Sequence, residues 1–93
     1  MLLGDLLAHF SDESVALEAI LRLNDLSLLA SLREHTEANG VELGGFAANA
    51  VRRYASEASD EEWITLMGTM GQSPDPGAVC LKRALAHAVR PAH

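Results

Sequence analysis

Between residues 43 and 58 the apolar side chains Leu43, Phe46, Ala47, Ala50, Val51, Tyr54 and Ala58 return every three or four positions. That is the period of a helix with one buried face, and it conflicts with the period of two that a half-buried strand needs. A stripe this long must be covered by other elements. The rest of the chain offers helices to cover it: alanine and leucine occur 15 times each against five valines and two isoleucines, so strong helix formers outnumber the β-branched aliphatics throughout. The expected fold is all-α, a compact bundle of five to six short helices, with residues 1–93 forming a single helical domain. A chain of 93 residues buries roughly 60–70% of its unfolded surface, which leaves a thin core.

Local signals divide the chain into these helices. Leu2, Leu3, Leu6, Leu7 and Phe10 predict a short first helix with Asp5 and His9 on its far side. Ser11 reads as the cap of a second, with Asp12 and Glu13 at its positive end, running to about Leu23 and apolar nearly all round. Such a helix calls for burial on several sides. Asn24 and Asp25 are cap candidates for a third helix, which Asn39-Gly40 should end by adopting left-handed backbone. The stripe at 43–58 is the fourth, with Gly44 and Gly45 suited to close approach of a neighbouring backbone. In "ASDEEW", Ser59 and Glu62 have capping-box spacing, Asp60 and Glu61 fill the first turn, and Trp63, Leu66, Met67 and Met70 line one face of a fifth helix that Gly71 can end. "QSPDPG" is a loop, Asp75 and Pro76 open a sixth helix, and Pro91 stops it. On that last helix Ala78, Leu81, Ala84, Leu85 and Ala88 face inward and Lys82, Arg83 and Arg90 outward.

The chemistry-bearing residues do not assemble into a catalytic or metal motif. Consecutive carboxylates on a helix point about 100° apart, so Asp60, Glu61 and Glu62 do not converge. There is no H-E-x-x-H or E-x-x-H spacing, no G-x-S-x-G, no phosphate-binding glycine loop and no dinucleotide fingerprint. His35 reads as an edge or capping residue, and Cys80, the single cysteine, as a small core residue without a disulfide partner. The expectation is a non-enzymatic chain with no cofactor and no metal. Thirteen acidic against seven basic residues give a formal charge of −6, which disfavours nucleic acid and anionic membrane as partners. No apolar run is long enough to span a bilayer, and the start "MLLGDLLAHF" lacks a positive flank and carries Asp5, so it reads as retained and the chain as cytoplasmic.

Function is then expected at apolar surface that so small a core leaves uncovered. The candidate interaction surface is Leu17, Ile20 and Leu21 on the second helix with Trp63, Met67 and Met70 on the fifth. Homodimerisation would bury the surplus, and a further, unidentified protein is the other expected partner.

Residues 20–54, "ILRLNDLSLLASLREHTEANGVELGGFAANAVRRY", resemble the ribbon-helix-helix DNA-binding regulators. Arg22-Leu23, Asn39-Gly40, Phe46, Ala50 and Tyr54 fit that family's pattern. The resemblance implies an intertwined dimer with a two-stranded ribbon in the major groove, in which Ile20 and Arg22 would point toward DNA. The two readings differ over residues 17–23, which are helix in one and strand in the other.

Overall fold

The computed structural model describes residues 3–89, with the side chain of Leu3 excluded. The helices are α1 (Leu3–Phe10), α2 (Glu13–Arg22), α3 (Leu26–Asn39), α4 (Leu43–Glu57), α5 (Asp60–Gly71) and α6 (Pro76–Val89), and the described residues contain no strand. Leu2, which the sequence places in the first helix, and Arg90 and Pro91, which it places at the end of the sixth, lie outside the described residues.

Most boundaries follow from local hydrogen bonding. Asp25 accepts the Leu28 amide at 3.0 Å, Ser59 Oγ accepts the Glu62 amide at 3.1 Å, and Asp75 accepts the Ala78 amide at 3.1 Å, each satisfying an amide that the first helical turn cannot. Gly40 ends α3 with φ +65°, in the left-handed region where a side chain would be strained. Asn24 occupies the same region at φ 52° and turns the chain from α2 into α3. One cap differs from expectation. Asp12, not Ser11, caps α2, accepting the Ser14 and Val15 amides at 2.9 and 3.1 Å, while Ser11 Oγ donates back to the Leu7 carbonyl and closes α1.

The stripe at 43–58 becomes the centre of the molecule. α4 packs against α1, α2, α3 and α6, and α5 rests mainly on α6. Small residues make this possible: Gly44, Ala47, Ala48 and Ala50 are buried along α4. A Cβ on Gly44 would lie 3.0 Å from the Glu13 carbonyl oxygen and 3.5 Å from the Leu17 Cβ, so this glycine sets how closely α2 approaches. Arg52 Nη2 donates to the Ser11 carbonyl at 2.7 Å and ties α4 to the α1–α2 turn. Leu6, Phe10, Ala16, Ile20, Leu32, Val51, Leu66, Leu81 and Leu85 pack in one core around these small positions. The radius of gyration of 12.5 Å is close to the roughly 12 Å of a compact chain of this length.

α2 departs from its expected surroundings. It meets α1, α4 and α6, but only Ala16 and Ile20 are buried, and Leu17 and Leu21 remain in solvent. Ile20 is therefore a core residue at 4% exposure, apart from the solvent-facing Leu17 and Leu21. Of residues 17–23, which are helix in one reading and strand in the other, 17–22 lie in α2 and Leu23 is its C-terminal cap, and Arg22 pairs along the helix with Glu18 at 2.7 Å.

Candidate functional site

The three carboxylates of "ASDEEW" have two different environments. Asp60 and Glu61 are exposed in the first turn of α5, where they complement the positive helix end. Glu62, about 100° further round, faces α4 and α6. Its carboxylate accepts Arg83 Nε at 2.6 Å and Nη2 at 2.8 Å, and it also accepts the Tyr54 hydroxyl. Arg83 was expected to face outward. It is instead half-buried, because a planar guanidinium can chelate both oxygens of an acid on the neighbouring helix.

Aromatic rings extend this cluster. The wholly buried Tyr54 ring lies 5.3 Å from Trp63 and 5.7 Å from His87, centroid to centroid. His87 Nε2 lies 3.2 Å from Glu57, which also pairs with Arg53 at 3.4 Å. His87 first and Arg53 second hold the Glu57 carboxyl below the usual glutamate range. Burial first, then the Glu62 carboxylate, pushes the Tyr54 hydroxyl well above its ordinary value of 10.0. Its oxygen is thus a donor locked to Glu62, and the whole cluster clamps α4, α5 and α6 together.

The Tyr54 shift sets an alkaline limit on stability. A group whose folded pKa is raised favours the native state fully below its unfolded pKa, and that contribution is lost as the pH rises beyond it. Stability should therefore fall above about pH 10. The tyrosinate absorbance of this single tyrosine should grow together with loss of Trp63 fluorescence rather than before it. Ionisation of Tyr54 near pH 10 in a still-native protein would contradict the clamp.

The apolar candidates separate into two faces. Trp63 and Met70 are half-buried and pack onto the core beside Leu66, so they belong chiefly to the fold. Met67 does not share that environment. It turns outward at 58% exposure and joins Ile64, at 73%, one turn away. The same outer side of α5 carries Gly68 and Gly71, and a Cβ at either would meet nothing within 4 Å. Ile64 was missed by the sequence reading, although its i,i+3 spacing to Met67 was visible. Leu17 and Leu21, at 37% and 54% exposure, lie on α2, whose neighbours are α1, α4 and α6, so they form a separate surface. Leu26, at 79%, was also missed.

A cleft of about 480 Å³ opens where α2 faces the first turns of α6 beside the end of α1. Its apolar wall includes Phe10, Val15, Ala19, Leu23, Ala78 and Leu81. Glu18 and Arg22 from α2, Asp75 just before α6, Lys82 within α6, and His9 from α1 also line it. Lys82 Nζ lies 3.5 Å from Asp25 Oδ2. No spacing rule could have found this site, because its α2 and α6 walls are more than fifty residues apart in sequence.

Cys80 is wholly buried, and that burial pushes its thiol up to about 11. His35 is half-buried against Phe46, with ring centroids 4.9 Å apart. Among the described residues no group of three histidine, cysteine or acidic side chains is placed to hold a metal ion, and no helix is long and apolar enough to cross a membrane. No protein-family model matches the chain, and comparison with curated proteins and with solved structures finds no match.

Proposed function

We propose that this chain is a non-enzymatic protein-interaction module that works as a homo-oligomer, with the outer face of α5 as its contact surface. The observation that supports this reading is the seam Ile64, Met67, Gly68 and Gly71, two large apolar side chains in solvent beside two glycines with open space over them. Glycine inside a helix costs about 1 kcal/mol relative to alanine. The monomer has no packing reason to keep Gly68, since a methyl group there would touch nothing. A second helix laid across the seam would use the missing side chains for close approach and would cover Ile64 and Met67. A two-fold axis through α5 matches the seam to itself, as a dimer of identical chains requires. A different protein with an apolar helix is the other partner that this face could accept.

Light scattering behind gel filtration is expected to give a dimer mass at tens of micromolar. The paired substitution Ile64→Asp and Met67→Asp is expected to give the monomer mass with an unchanged helical circular dichroism spectrum, because both side chains are exposed in the single chain. A monomer mass for the unsubstituted protein would remove the homo-oligomer reading.

A further inference from the structure

We infer that the cleft between α2 and α6 is a binding site for a small neutral amphiphile, an apolar body ending in a hydroxyl. The inference goes beyond self-association, since α1, α2, α6 and the residue before α6 line the cleft and α5 contributes nothing to it. Its volume of about 480 Å³ falls within the few hundred to one thousand Å³ usual for small-molecule sites. Along it Phe10 and Leu81 are buried and Val15, Ala19, Leu23 and Ala78 half-buried, whereas every charged or histidine side chain that lines it is exposed. The interior is thus apolar and the rim polar, the division that a ligand with one wet end requires. A Cβ on Gly77 would lie 3.5 Å from Phe10 Cζ and 3.6 Å from Asp75 Oδ1. Beside Gly77, an aromatic ring and a carboxylate oxygen therefore border the same space, and a hydroxyl seated there has Asp75 as its acceptor.

The charges at the rim select against a charged head of either sign. Arg22 is paired with Glu18 at 2.7 Å and Lys82 with Asp25 at 3.5 Å, so neither cation is left over for a carboxylate. With Asp75 there are three acids to these two cations, and an anion would be repelled. Asp75 forms no ion pair with a described residue. It is nevertheless engaged, because its Oδ1 accepts the Ala78 amide at 3.1 Å and its charge offsets the positive end of α6. An ammonium head placed there would face that helix end and gain only an exposed ion pair, a weak contact. A hydroxyl needs no opposite charge. It donates to Asp75, whose carboxylate has lone pairs beyond the one that caps α6, and both existing ion pairs stay closed.

Titration of the full chain with octanol, octanoate and octyltrimethylammonium, each below its solubility or micelle limit, tests the site by calorimetry and by amide chemical shifts. Octanol should bind one per chain, shift the Ala19 and Ala78 amides, and bind at least about threefold more tightly than either charged compound. Arg22→Gln with Lys82→Gln releases Glu18 and Asp25 from their cations. In that variant the ammonium compound should gain about threefold while octanol is unchanged. Both positions are exposed, so folding should be retained. Ala78→Leu should abolish octanol binding by filling the cleft, and Ile64→Asp with Met67→Asp should leave it intact. Octanoate or the ammonium compound binding the unsubstituted protein as tightly as octanol would overturn the neutral head. An ammonium affinity that does not rise in the Arg22 and Lys82 variant would reduce the preference to plain partitioning and overturn selection by the rim. Absence of saturable octanol binding, or shifts confined to α5, would overturn the site itself.

Discussion

Leu66→Ala is expected to lower the free energy of unfolding by about 2–5 kcal/mol, the range for truncating a wholly buried leucine. Leu66 is the one fully buried side chain that α5 contributes to the core. Urea unfolding followed by Trp63 fluorescence reads this directly, since Trp63 is the only tryptophan and lies on the same helix. In a domain of this size each kilocalorie shifts the melting temperature by about 4–8 °C, so a fall of at least about 8 °C is expected. A loss below about 1 kcal/mol would mean that α5 is not held by its apolar face.

Glu62→Ala carries the second large effect. It leaves the Arg83 guanidinium and the buried Tyr54 hydroxyl without the acceptor that both use. The full cost of orphaning a buried charge is not reached, because the Arg83 and Glu62 side chains keep 34% and 22% of their exposure and water can compensate in part. About 1–3 kcal/mol is expected. Combining Glu62→Ala with Arg83→Met should cost less than the sum of the single changes, since the double variant has no orphaned cation. Strict additivity would show that the two residues contribute independently and that the clamp is not a unit.

These two expectations rest on information of different range. Leu66 as a core position follows from periodicity: with Trp63, Met67 and Met70 it makes one helical stripe, of which the structure buries Leu66, half-buries Trp63 and Met70, and leaves Met67 in solvent. The Glu62 clamp does not follow from any pattern. Ser59 and Glu62 are three residues apart, and the cap they form is visible in the sequence because its hydrogen bond closes within one turn. Arg83 lies 21 residues beyond Glu62, on a helix whose rotation about its axis is settled only when α5 and α6 dock.

The same distinction separates the remaining correct and corrected assignments. Asp25, Gly40, Asp75 and Pro76 mark helix ends where expected, because caps and left-handed turns are governed by residues within four positions of each other. Ser11 and Asp12 compete for one cap, and both side chains suit it. The contest is settled by Ser11 donating back into α1.

By itself, the sequence determined an all-α chain, the six helices and most of their limits, and the core faces of α4 and α6. Short-range hydrogen bonds and a 3.6-residue apolar period carry that information locally. Tertiary structure alone decided that Ile20 is core, that Met67 joins Ile64 in solvent, that Arg83 turns inward, and that residues 9–23 and 75–82 enclose a cleft. The physical reason is that a helix with apolar residues on more than one side has no preferred inward face until its neighbours dock. Which residues are covered then depends on how closely small residues such as Gly44 let the backbones approach.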